Sequence, residues 1–128
     1  MTPNQLNQFQ QGLDLFNAGE FYDCHEVLEE LWNDLSGNEK TTVQGILQVA
    51  VGFYHLRTGN LNGTRNLFRK ALDIFWKYPA PNDFPLSTLP LQGEIRVLSA
   101  KLQRLETLSP ALTMTLAPTL RLTPTSSG

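Results

Sequence analysis

A chain of 128 residues, 41% of them hydrophobic and 17% charged, is long enough to bury one sizeable core and predicts a single globular domain. The formal net charge of −2 excludes a strongly basic surface, so we expect neither nucleic acid nor an anionic membrane as a partner. Cys24 is the only cysteine, and the N-terminus lacks the cationic start and apolar run of a signal peptide. We therefore expect a cytoplasmic protein without disulfides.

Helical periodicity predicts an all-α chain with about five helices. Apolar residues recur at the i, i+3, i+4 and i+7 spacing of amphipathic helices, and Gly, Asn or Pro follows each stretch as a stop signal. The third stretch is apolar around most of its circumference, which is typical of a central, buried helix. In chain order, the five predicted helices lie around residues 9–16, 21–35, 39–58, 61–75 and 91–108. We expect one domain over residues 1–108 and an irregular Pro/Thr/Ser-rich tail over residues 109–128.

An internal repeat appears when the chain is shifted by 40 residues. The shift superposes Gly12, Gly19, Phe21, Cys24, Leu28 and Leu31 on Gly52, Gly59, Leu61, Thr64, Phe68 and Ala71. A glycine inside a helix costs about 1 kcal/mol, and a close approach of two helices explains it best. The pattern resembles the tetratricopeptide repeat, although that repeat has a period of roughly 34 residues and normally occurs in longer arrays. We predict two antiparallel helical hairpins packed face to face, with the fifth helix as a lid.

Polar side chains follow the margin of the apolar face on the second and third predicted helices. They are Tyr22, His25, Glu29 and Trp32 on the second helix, and Gln44, Gln48 and His55 on the third. Glu26 points further out, toward water. Packing of the two helices would bring the polar margins together in the interior, where each unpaired polar group costs about 1–3 kcal/mol. We therefore predict a buried cluster of imidazole, carboxylate and amide groups.

Three interpretations of this cluster stay open. His25, Glu29 and His55 are candidate ligands of a divalent metal such as zinc or non-haem iron. Alternatively, Glu29 orients His25 as a general acid–base pair. The third interpretation is a hydrogen-bond network that docks the two hairpins. The sequence HEVLE (25–29) is not the HExxH motif of zinc proteases, because Glu29 occupies the place of the second histidine.

Residues 16–32 and 44–72 resemble the domain-of-unknown-function 309 family of small prokaryotic proteins. The family's pattern is F-N-x-G-x-[FY]-x-x-A-H-E-x-L-E-x-x-W, followed by Q-G-x-[IL]-Q and Y-H-x-x-x-G-N. Its positions are filled here by Phe16, Asn17, Gly19, Phe21, His25, Glu26, Leu28, Glu29, Trp32, Gln44, Gly45, Gln48, Tyr54, His55, Gly59 and Asn60. Cys24 stands where the family has alanine, and we expect an inert core thiol there. The resemblance covers about residues 9–78 and implies an all-helical domain. The family has no established biochemical activity, so the resemblance implies none for this chain.

Two functions of different classes are compatible with this sequence. The first is an interaction or scaffold module that binds a protein or peptide, or that forms a homo-oligomer through exposed helix faces. The alternative is a small metal-dependent or acid–base enzyme of hydrolase type, built around His25, Glu29, Gln48 and His55. A concave opening onto the cluster with a free imidazole nitrogen would favour the enzyme, whereas a sealed and fully paired cluster would favour docking.

Overall fold

The computed structural model describes residues 1–104, which form five α-helices and no strand. The helices are α1 (Pro3–Asn17), α2 (Phe21–Asn33), α3 (Gly37–Arg57), α4 (Leu61–Lys77) and α5 (Thr88–Leu102). This confirms the predicted all-α class and the number of helices. None of the helices within residues 1–104 is both long and apolar enough to cross a membrane.

The fifth helix begins earlier than its apolar stripe suggests. It starts at Thr88 instead of residue 91, with Pro90 in its first turn. Proline is tolerated there because the first backbone N–H groups of a helix have no partner within the helix. The helix ends at Leu102, whereas its predicted end at residue 108 and the predicted tail from Ser109 lie outside the described residues.

The central position of α3 follows from its all-round apolar surface. Each helix packs against the next in the chain, and α3 lies between α2 and α4. Phe53 on α3 contacts Phe16, Phe21 and Phe68, with ring centroids 5.6, 5.4 and 5.1 Å away. One fully buried side chain thus joins three other helices to α3.

Two mid-helix glycines allow the close helix contacts that the repeat predicts. A Cβ added to Gly12 would lie 2.6 Å from Leu28 Cδ2, and one added to Gly52 would lie 2.6 Å from Phe68 Cε1. The 40-residue shift pairs Leu28 with Phe68, so each glycine receives the side chain that follows it by 16 residues. The two halves therefore share this packing detail, while their kinship to tetratricopeptide repeats stays a prediction.

The connector between α4 and α5 contributes to the core. Phe84 lies against Phe9 of α1, with ring centroids 5.5 Å apart in an edge-to-face arrangement. Phe84, Pro85 and Leu86 are all buried. The connector thereby closes one end of the helix assembly and leaves the α2–α3–α4 surface uncovered by it.

We expect Gly52→Ala to destabilise the fold by about 1–3 kcal/mol, because the new methyl group overpacks against the Phe68 ring. Gly93→Ala on α5 is the matched control, since its Cβ would meet nothing within 4 Å. The control should gain up to about 1 kcal/mol from helix propensity. Urea unfolding followed by circular dichroism measures both changes, and equal stability of the two variants would contradict the close-packing account.

Candidate functional site

A groove lies over α3 on the face that α2 and α4 leave open. Its volume is about 260 Å³. The lining residues are His25, Glu29 and Trp32 from α2, Gln44, Leu47, Gln48 and Val51 from α3, and Leu67 from α4. We call this set of eight residues the α3 groove. Five of the seven polar margin residues predicted from sequence line it, whereas Tyr22 and His55 do not.

Helical spacing explains how α2 presents its groove residues. His25, Glu29 and Trp32 follow one another at i, i+4 and i+7, so they share one face of the helix. That face borders the buried stripe containing Cys24 and Leu28. The same spacing places the groove side chains of α3 in one line, facing the same opening.

The contact at the mouth of the groove joins His25 and Glu29. Nε2 of His25 lies 3.1 Å from Oε2 of Glu29, and the two side chains are 30% and 56% exposed. The prediction of a buried cluster is therefore wrong about burial, because α2 and α4 do not cover this part of α3. A partly exposed i, i+4 pair contributes only about 0.3–0.5 kcal/mol. Both residues belong to α2, so this contact does not join α2 to another helix.

His55 lies apart from this pair. Its Nδ1 is 3.4 Å from Nδ2 of Asn60, at the end of α3. Two exposed tyrosines, Tyr22 and Tyr54, stand between His55 and His25, with successive ring centroids 6.0, 5.6 and 5.9 Å apart. The three predicted metal ligands are thus not brought together. Within residues 1–104, no group of three or more His, Cys, Asp or Glu side chains is placed to hold a metal ion.

Two buried polar atoms of groove residues lack partners among the described residues. They are Nε1 of Trp32, a hydrogen-bond donor, and Oε1 of Gln48, an acceptor. Each such atom costs about 1–3 kcal/mol while it stays unpaired. Lys40 reinforces the position of the indole, with its Nζ 4.1 Å from the ring centroid of Trp32. Both atoms are buried, although the side chains that carry them line the groove.

Sequence reasoning missed the apolar part of the groove. Leu47 and Leu67 are half-buried, but leucine on an amphipathic helix is compatible with either a core or a groove position. Their position at the edge of an apolar stripe, next to polar margin residues, was the one feature of the sequence that could have indicated a groove. Only the relative placement of three helices shows that Leu67 of α4 faces Gln48 of α3 across the same opening.

Cys24 lies directly behind the groove and does not open onto it. Its side chain is fully buried. Burial raises the pKa of the Cys24 thiol to about 12, against a smaller lowering from a backbone hydrogen bond at Phe16. The thiol is therefore protonated at neutral pH and is no candidate nucleophile.

The comparisons with known proteins point to one family. A family model described as "Domain of unknown function (DUF309)" matches residues 9–67, which confirms the resemblance and includes every residue of the α3 groove. An uncharacterized protein of Aquifex aeolicus (strain VF5) is 33% identical over 58 residues, covering 44% of this chain and 17% of that protein. The uncharacterized protein YpuF of Bacillus subtilis (strain 168) is 36% identical over 56 residues, covering 43% of this chain and 32% of YpuF. The chain thus spans less than a third of either relative.

We expect His25→Ala to change the free energy of unfolding by less than about 1 kcal/mol, because its polar side-chain contact is a partly exposed pair and its ring contact is with the exposed Tyr22. Leu28→Ala on the same helix is the control and should cost about 2–5 kcal/mol as a buried truncation. Denaturant titration measures both. A loss of several kcal/mol for His25→Ala would restore the docking interpretation.

We expect Cys24 of the folded protein to resist iodoacetamide at pH 8, because a buried thiol with a pKa of about 12 is almost entirely protonated there. Mass spectrometry should show labelling at least a hundredfold faster in guanidinium chloride than in buffer. Equally fast labelling under both conditions would contradict the inert-core assignment.

Proposed function

We propose that this chain, whose residues 9–67 match the DUF309 family model, is a protein-interaction module that binds a polypeptide segment in the α3 groove. The observation that carries the proposal is a groove in which half-buried apolar side chains lie beside Trp32 and Gln48, whose buried Nε1 and Oε1 have no partner among the described residues. A peptide unit supplies one acceptor and one donor, as does the side-chain amide of Asn or Gln. A polypeptide could pair both atoms once the Trp32 and Gln48 side chains turn toward the groove, while its apolar side chains cover Leu47, Val51 and Leu67.

The size of the groove also favours a polypeptide segment over an enclosed small molecule. Pockets for drug-sized ligands typically measure about 300–1,000 Å³ and bury most of the ligand surface. The α3 groove, at about 260 Å³, is smaller and lies open beside half-exposed side chains. It suits one or two anchoring side chains whose parent chain continues across the surface.

A displayed library of random 12-residue peptides provides the test. Peptides selected on the wild-type protein should bind Val51→Arg at least tenfold more weakly, because the longer side chain fills the groove. Val97→Arg is the matched control, since Val97 is 57% exposed on α5 and is not a groove residue. Unchanged melting of both variants excludes misfolding. Equal binding to Val51→Arg and wild type, or selection of no peptide at all, would contradict the proposal.

The His25–Glu29 contact favours an acid–base enzyme as the second candidate. When Nε2 of His25 donates to Glu29, Nδ1 keeps its lone pair, and it has no partner among residues 1–104. A neutral imidazole oriented by a carboxylate is a competent general base. A divalent metal on this pair, completed by water, is the metal-dependent form of the same candidate.

A panel of model acyl, phosphoryl and glycosyl substrates tests the enzyme candidate, with metal content measured on the same untagged preparation. Turnover abolished by both His25→Gln and Glu29→Gln would support it. Turnover that survives either substitution would exclude this pair as the catalytic group.

A further inference from the structure

A second cavity lies between the C-terminal end of α4, the connector and the first turns of α5. Its volume is about 580 Å³, within the range of about 300–1,000 Å³ that is typical of small-molecule sites. We call it the α4–α5 cavity, and its lining includes Phe75, Trp76, Leu86, Leu89, Gln92 and Arg96. None of its lining residues belongs to the α3 groove or to the segment matched by the family model, so the two sites are independent.

The lining of the α4–α5 cavity is largely apolar, and part of it is open to solvent. Phe75 and Leu86 are buried, whereas Trp76 and Leu89 are 76% and 74% exposed. Exposed side chains of this size leave apolar surface in water, which a ligand with a hydrocarbon body would cover. The cavity therefore suits a molecule with an aromatic or branched alkyl group.

The charge of the α4–α5 cavity comes from one residue. Of the described residues that line it, Arg96 alone is charged. Thr88, Gln92 and Arg96 follow one another at intervals of four, so they share one face of α5. Gln92 is already engaged, because its Nε2 donates to the hydroxyl of Thr88 at 3.2 Å. Within residues 1–104, Arg96 makes no ion pair and no hydrogen bond, so its guanidinium group is available to an anion.

We propose that the α4–α5 cavity binds a small organic acid, with one carboxylate and an apolar aromatic or branched alkyl body. Arg96 would donate two parallel N–H···O bonds to the carboxylate, while Trp76 and Leu89 cover the apolar body. Ser87 makes no side-chain cap at the start of α5, so the first N–H groups of that helix also favour negative charge. One guanidinium neutralises one carboxylate, whereas a doubly charged phosphate would keep an unpaired charge beside apolar side chains.

Three naphthalene derivatives of nearly equal size test this site: the anion 2-naphthoate, the neutral 2-naphthalenemethanol and the cation 2-naphthylmethylamine. The indole N–H signals of the two tryptophans report binding in ¹⁵N–¹H correlation spectra. Addition of 2-naphthoate should move the Trp76 signal to saturation and leave the Trp32 signal in place, because Trp76 lines the cavity and Trp32 does not. The dissociation constant of 2-naphthoate should be at least tenfold lower than those of the other two compounds.

Two pairs of variants separate the roles of the charge and of the apolar wall. Arg96→Gln should weaken 2-naphthoate at least tenfold and change 2-naphthalenemethanol less than twofold. Lys101→Gln, which removes the same charge from an exposed position of α5 outside the cavity, is the control and should change 2-naphthoate less than twofold. Leu89→Ser should weaken both compounds at least threefold, whereas Val97→Ser at another exposed position of α5 should weaken neither. Unchanged melting of the four variants excludes misfolding.

Several results would overturn the inference. They are equal binding of the three compounds, a Trp76 signal that does not move up to about 5 mM 2-naphthoate, and equal weakening in Arg96→Gln and Lys101→Gln. Sedimentation equilibrium of the protein alone covers another occupant. A dimer that Leu89→Ser dissociates and Val97→Ser does not would replace the organic acid by a second copy of this chain.

Discussion

The contacts of Phe53 with three other phenylalanines hold α1, α2 and α4 around α3, and the groove depends on this arrangement. A helix that is apolar around most of its circumference needs packing partners on nearly every side. Here α2 and α4 cover two sides of α3 and leave a strip between them. The mid-helix Gly52 lets α4 approach closely enough for Phe68 to reach Phe53, which fixes the far wall of the groove.

The polar side chains that line this strip of α3 do not form a closed hydrogen-bond network. A network that docks two hairpins would be sealed, with every donor and acceptor paired. Instead His25 and Glu29 reach solvent, and the buried polar atoms of Trp32 and Gln48 have no partner among residues 1–104. The fold therefore leaves two buried polar atoms of groove side chains unpaired within the described residues.

Periodicity within one helix was the reliable part of the sequence analysis. It predicted the five helices, and it separated His25 and Glu29, which share a face, from Glu26. It could not place residues of different helices against each other, because the relative rotation and axial shift of two packed helices depend on the whole core. His55 was therefore grouped with His25, although two tyrosines lie between them. The burial of Glu29 was misjudged for the same reason.

The most direct measurement of the central claim uses the only two tryptophans of the chain, Trp32 in the groove and Trp76 on the far side of α4. Each indole N–H gives one signal in a ¹⁵N–¹H correlation spectrum, and a peptide selected from the displayed 12-residue library is the titrant. The account predicts that the Trp32 signal shifts downfield as its Nε1 gains an acceptor, while the 76% exposed Trp76 stays unchanged. A saturating titration that moves the Trp76 signal and leaves the Trp32 signal in place would contradict it.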